Sequence, residues 1–322
     1  MRVFLAGGTG VIGRALLPQL RDAGHEVTAM TRFEERAEKL RGLGVEAVVC
    51  DAFDTERVVL AVEAARPEVV VNQLTDIPKA INPRKMAEQF RTNDRLRTEG
   101  TRNLMRGATA AGARRLISQS IAWAYAPTEG LWTEEDRLWL EAPEPWGRSV
   151  NAVAALEEAT LGDGGVEGVV LRYGFFYGPG SAYASDGSTA AMVRKRAFPV
   201  VGDGAAVYSY IHVDDAAAAT VAALDHGPPG AYNVVDDDPG KVREWLPEYA
   251  EALGARAPRR VPRFLARLGA GKFAVYMMTG LQGATNAKAK RELGWQPRYA
   301  SWRQGFREAT AASATARATS LR

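Results

Sequence analysis

The chain has 322 residues, 46% of them hydrophobic, and its 41 basic and 38 acidic side chains leave a formal charge of +3. That length suits a large α/β core with a smaller partner, and the near-balance of charge, with no basic stripe or tail, argues against nucleic acid as a partner. A single cysteine, Cys50, excludes an internal disulfide, and the widely spaced His25, His212 and His226 build no metal site. The opening apolar run is too short for a secretory leader or membrane span, so a cytoplasmic protein is expected.

Arg2 to Ala6 reads as a short apolar strand, and Gly7 to Gly13 follows as a glycine-rich turn. Leu16, Leu17 and Leu20 then recur at helical spacing until Gly24. His25 to Thr31 is a second strand, Glu34 to Arg41 a polar helix, Val45 to Val49 a third strand and Thr55 to Ala65 a helix. Val69 to Val71 is a β-branched run suited to a sheet covered on both faces. A long helical segment from Lys85 to Ala111 leads to a strand at Arg115 to Ser118. A helix from Asn151 to Leu161 then precedes a strand at Val166 to Leu171. This alternation predicts an α/β fold, a Rossmann-type doubly wound parallel sheet with right-handed crossovers.

Beyond Tyr173 the periodicity loosens. A short helix after Ser188, an extended piece at Ser209 to Val213, a helix from Asp214 to Leu224 and a strand at Tyr232 to Val235 are expected. From Lys241 to Thr310 the chain reads as mostly helical. The expected division is a nucleotide-binding domain over 1–172, completed by parts of 210–236, and a smaller substrate-binding lid from 173–209 and 237–310. The Ala/Ser/Thr/Arg-rich stretch 311–322 reads as a disordered tail.

The glycine pattern has meaning because it follows a strand and opens a helix. Gly7 permits the tight turn, Gly10 lets a pyrophosphate approach the backbone, and Gly13 lets the helix pack on the sheet. The amides around Thr9, Val11 and Ile12 then face phosphate oxygens. Where an acid after the second strand would receive the ribose 2′-hydroxyl of NAD, this chain has Arg32, with Arg36 one turn on. Two guanidiniums suit a 2′-phosphate, so NADP is favoured over NAD, the alternative being that both are simply solvated. Asp51, with Ala52 beside it, either accepts from the adenine amino group or caps the helix that follows.

In this order, the motifs resemble the extended short-chain dehydrogenase/reductase family of sugar-nucleotide epimerases and dehydratases. They are Gly7 to Gly13, Gly100-Thr101-Arg102-Asn103-Leu104, Ser118-Gln119-Ser120, Leu171-Arg172-Tyr173, Tyr177-Gly178-Pro179-Gly180, Ile211-His212-Val213-Asp214-Asp215 and Asn286 to Trp295. The resemblance covers roughly residues 1 to 310. It implies a nicotinamide cofactor, a small-molecule substrate and a homodimer packed through the long helices. Ser120 falls at the family's helper hydroxyl, although it could instead cap local backbone.

The family's proton-transferring tyrosine, with a lysine four residues later, is absent. Trp146-Gly147-Arg148-Ser149-Val150 stands there, and the customary asparagine before the Gly-Thr pair is Arg97. The lysine would hold the nicotinamide ribose and lower the tyrosine's pKa, so a usual ketone reduction lacks its acid. Tyr125 and Tyr173 are the substitute candidates, with His212 and Asp215 as a third; for each, a structural role competes. Hydride transfer to a substrate carrying its own acidic or cationic group needs less from the protein. Three functions follow: an atypical NADP-dependent reductase or dehydrogenase, an epimerase or dehydratase retaining its cofactor, and a non-catalytic sensor of cofactor occupancy. In the lid, Phe264, Phe273, Tyr276, Met277 and Met278 form either helix packing or an apolar ligand wall.

Overall fold

The computed structural model describes residues 1–78, 81–82, 85–162 and 165–308. Its centre is a seven-stranded parallel sheet. The strands are β1 (Arg2–Ala6), β2 (Glu26–Thr31), β3 (Glu46–Val49), β4 (Val69–Asn72), β5 (Arg115–Ile121), β6 (Glu167–Tyr173) and an edge strand at Gly230–Val234. Across the sheet they run edge strand, β6, β5, β4, β1, β2, β3. The order reverses between β1 and β4, and ligands of open α/β sheets bind at the carboxyl ends of the strands flanking such a reversal.

Helices cover both faces. On one, α1 (Val11–Asp22) buries Ile12, Leu16, Leu17 and Leu20 against Leu5, Val71, Ile117 and Leu171. Each such side chain contributes roughly 1.5–3 kcal/mol by leaving water. On the other, α3 (Thr55–Ala65) and the helix Thr101–Ala110 enclose Phe4, Met30, Val70 and Leu116. A Cβ at Gly107 would lie 2.9 Å from Val62, so these two helices meet at a glycine. A third core, rich in rings, joins Tyr125, Trp132, Tyr177, Tyr210, Trp245, Trp302 and Phe306. The segment after β5 therefore packs into the C-terminal part of the molecule.

The periodicity places the elements well, with three differences beside the site. The expected helix from Lys85 to Ala111 is segmented into Met86–Gln89, Arg91–Arg95 and Thr101–Ala110, with a π-widened stretch at Leu96–Gly100. The helix expected from Asn151 begins at Trp146, so Trp146 to Val150 form its first turns. Strand β5 runs on to Ile121. Short strands escaped the sequence pattern, among them Phe175–Tyr177 and the pair Val207–Tyr208 and Gly240–Lys241, whereas Tyr210–His212, which pairs with Phe175–Tyr177, falls in the extended piece expected at Ser209 to Val213. The expected tail at 311–322 lies outside the described residues. No helix among the described residues is long and apolar enough to cross a membrane.

The entry to α1 is the tightest joint. A Cβ on Gly13 would stand 2.4 Å from the Gly7 carbonyl oxygen and 2.5 Å from Gly8 C, whereas one on Gly10 meets only the Gly7 oxygen, at 3.2 Å. Gly13→Ala is expected to destabilise the fold by about 1–3 kcal/mol, the usual cost of overpacking. Gly10→Ala should cost distinctly less. Urea unfolding of the two variants checks the order, and equal losses would contradict it.

Candidate active site

Gly7 has φ +94°, and a Cβ there would lie 2.5 Å from the carbonyl oxygen of Gln73, so the turn hugs the end of β4. Gly10, extended, stands at the head of α1 with no side chain capping the helix. The Gly10 amide donates to the Gly7 oxygen and that of Arg14 to the Gly10 oxygen. Those of Val11, Ile12 and Gly13 find no acceptor among the described residues. Thr9 lies half-buried in the turn. Free amides, a helix N-terminus and space above a glycine fit a diphosphate.

At the end of β2, the guanidiniums of Arg32 and Arg36 lie 4.8 and 5.0 Å from the centre of the Phe33 ring. The acids next to them are engaged elsewhere, Glu34 with Arg41 and Glu35 with Lys39. No ion pair reaches Arg32 or Arg36 among the described residues. Two exposed, uncompensated cations on one ring suit an anion. Asp51 accepts from the Phe53 amide, while the cap of α3 is Asp54, which accepts from Arg57 N. The helix-capping alternative for Asp51 is thereby corrected to a local turn. The Ala52 carbonyl accepts from Asn103 Nδ2.

The three catalytic candidates are buried, and their hydroxyls are engaged. Ser120 Oγ donates to Glu157 Oε1 at 2.7 Å. Glu157 also receives Arg172 through two bonds, at 2.9 and 2.6 Å. Arg172 Nη1 donates to the Tyr125 hydroxyl, which itself donates to Asn233 Oδ1 at 2.6 Å. Ser120 and Tyr125 thus meet in one internal network that ties β5, β6 and the edge strand together. Burial pushes the Tyr125 phenol well above its ordinary range, against the opposing pull of Arg172. Burial opposes the charge of Arg172, yet its hydrogen bonds to Glu157 hold it above the usual guanidinium value. Tyr173 bonds Thr220 and Gln73, and burial raises it to about 12. His212 accepts from the Asp214 amide as a helix cap, and the Asp215 carboxylate receives the amides of Arg298 and Tyr299. These contacts are structural ones.

Trp146 and Val150 pack with Ile121, Ala124, Val153, Met86 and Phe90 in an apolar cluster at the carboxyl end of β5. From Trp146 a column of rings extends both ways. Phe273 stacks on Trp146 at 5.0 Å, Trp146 on Trp123 at 4.8 Å, Trp123 on Phe175 at 5.0 Å and Phe175 on Tyr208 at 4.4 Å. Trp139 and Tyr276 meet beside it at 4.9 Å. Of the lid residues read from the sequence, Phe273 and Tyr276 join this wall, Met278 is buried and Phe264 is exposed. Ile121, Trp123, Phe175 and Tyr208 were not foreseen. Four of the seven tryptophans fall between 123 and 146, a clustering that was available as a signal.

Comparison with known proteins agrees with this geometry. The model of the NAD dependent epimerase/dehydratase family matches residues 3–234. A 3-diazoavenalumate denitrifying reductase of a Streptomyces species is 46% identical over 308 residues, covering 95% of this chain and 99% of the relative. A 2-alkyl-3-oxoalkanoate reductase of Stenotrophomonas maltophilia is 25% identical, covering 79% and 76%. Among solved structures, Thermus thermophilus UDP-glucose 4-epimerase in complex with NAD is 26% identical, with TM-score 0.70 and coverage of 97% and 98%. A human epimerase family protein with NADPH superposes with TM-score 0.72 at 21% identity, covering 97% and 99%. The chain belongs to the NAD dependent epimerase/dehydratase family.

Proposed function

We propose that this NAD(P)-dependent oxidoreductase is an NADPH-dependent reductase that removes a diazo group from an aromatic substrate, replacing it with hydrogen and releasing dinitrogen. The relative at 46% identity, matched over nearly its whole length, carries a name of that meaning. The chemistry of the site supports the same reading: Ile121, Trp146 and Val150 surround the carboxyl end of β5, and none of them ionises.

When bound, the cofactor supplies a hydride. Gly7, Gly10 and Gly13, with the free amides of α1, would hold its diphosphate. Arg32 and Arg36 would hold the 2′-phosphate that distinguishes NADPH. An aryl diazonium is already electrophilic, and its leaving group departs as neutral N2. The balance is aryl-N2⁺ plus hydride giving aryl-H plus N2, with two electrons moved and no proton required from a side chain. A ketone, by contrast, gains an oxyanion that a nearby acid must quench. The ring wall of Trp123, Trp146, Phe175 and Phe273, whose faces stack on one another, gives a planar substrate an apolar flank and keeps water out. An epimerase or dehydratase would need a base at this place, which the apolar cluster does not provide.

Incubation with NADPH and a diazotised hydroxy-aryl carboxylate, followed by mass spectrometry, is the direct test. Deuterium from 4-deuterated NADPH should appear on the ring carbon that carried nitrogen, and none should enter from D2O. Loss of nitrogen without that label would sink the assignment. The rate of the hydride step should stay flat between about pH 6 and 9, since no side-chain acid takes part. Tyr125→Phe should leave kcat unchanged within about twofold, and a larger fall would restore Tyr125 as an acid. Replacing Arg32 and Arg36 together by Gln should weaken NADPH by about 10- to 100-fold in a binding titration, the scale of lost charged hydrogen bonds, while NADH changes little. Equal losses would remove the 2′-phosphate role.

A further inference from the structure

In the seam between the π-widened stretch Leu96–Gly100 and the helix Trp146–Leu161 lies a cation without a hydrogen-bond partner among the described residues. Arg97 is 7% exposed and sits in the π-widened stretch Leu96–Gly100. Its guanidinium makes no hydrogen bond among the described residues. Its nearest acid is Asp94, 3.8 Å away, too far for a hydrogen bond. A planar fork of five donors with no hydrogen bond suits an acceptor supplied from outside the chain. Burial draws its pKa down to about 10, with Asp94 and Glu157 acting in the opposite sense.

The surroundings carry further unused polar groups. Asn93 is fully buried; its Oδ1 accepts from the Asp76 amide in the loop after β4, and its Nδ2 has no partner. Asp94 accepts from Ser149 Oγ through Oδ2, while its Oδ1, 3.8 Å from Arg97, receives no hydrogen bond; Gln73 Oε1, after β4, is also without one. Buried polar atoms without partners are few in folded proteins, and Asn93 Nδ2 and Asp94 Oδ1, one turn before an under-bonded guanidinium, suit a polar ligand. Two positions fix where this is. Gln73 and Asp76 follow β4, at the reversal of strand order where the fold binds its ligand. Ser149 precedes Val150 on the helix whose first turn carries the ring wall. The π-widening turns the residues of this stretch relative to a regular helix, a feature found often at functional sites.

We propose that Arg97 is a cofactor-binding residue whose guanidinium holds the oxygens of the ribose on the nicotinamide side, with Asp94 as the positioning residue that orients it. This rests on the chain binding a nicotinamide dinucleotide. An arginine here grips oxygens without lending a proton, because its pKa stays far above neutrality. It therefore orients the reacting ring without bringing an acid to it.

The test separates the two halves of the cofactor. Arg97→Met and Arg97→Lys in the full chain are titrated by calorimetry with NADPH and with adenosine 2′,5′-bisphosphate, which lacks the nicotinamide half. Arg97→Met should bind NADPH about 10- to 100-fold more weakly, the scale of lost hydrogen bonds to a charged group, and the bisphosphate as well as the parent does. Arg97→Lys, which keeps the charge beside Asp94 and loses the fork, should fall between; should Arg97→Met not fold, it carries the test alone. Equal weakening of both ligands would make Arg97 a structural residue and overturn the proposal, as would unchanged NADPH affinity. An unmodified chain that binds neither NADPH nor NADH would instead refute the dinucleotide reading beneath it.

Discussion

The joint between the glycine turn and the first helix governs the rest of the structure. Gly13 lies against the backbone of Gly7 and Gly8, and Gly7 against the Gln73 carbonyl. These contacts set the start of α1 against the carboxyl ends of β1 and β4, where its unpaired amides define one wall of a cleft. The long apolar stripe of α1 could be buried at several angles. Backbone-to-backbone contact selects one of them.

Around that cleft the chain separates two kinds of polarity. Charges at the end of β2 are exposed and uncompensated, as at Arg32 and Arg36. Deeper down, Ser120, Glu157, Arg172, Tyr125 and Asn233 satisfy one another and tie three neighbouring strands into a rigid floor. A buried Arg–carboxylate pair of this kind contributes little net stability over an apolar packing, but losing either partner strands the other charge. Its service is to hold β5 and β6 in register beneath the ring column.

Much of this was legible in the residues. Short apolar runs separated by amphipathic stretches gave the parallel sheet, and the context of Gly7 to Gly13 gave the tight turn that opens α1. The three candidate hydroxyls are another matter. Ser120, Tyr125 and Tyr173 stand at suitable positions in the chain, yet their partners lie 37 to 108 residues away, and no local pattern announces that Glu157, Thr220 or Asn233 will occupy them. The start of the helix at Trp146 was hidden for a similar reason. Pro145 stands just ahead of the first turn, a place where proline is compatible with a helix, but it carries no apolar period that would announce one. Two-residue strands such as Val200–Val201 are too short for periodicity to reveal. The π-widening at Leu96–Gly100 has no compositional mark at all.

The column from Phe273 to Tyr208 has one more chemical meaning. An arene that has lost nitrogen is among the most indiscriminate of electrophiles, and in bulk solution it is captured by water to give a phenol. The stacked rings present no lone pair able to compete in that capture, so in the proposed reaction the column would do more than pack one wall. In the proposed diazo reduction it would decide which of two products forms, leaving the reductant as the first nucleophile within reach.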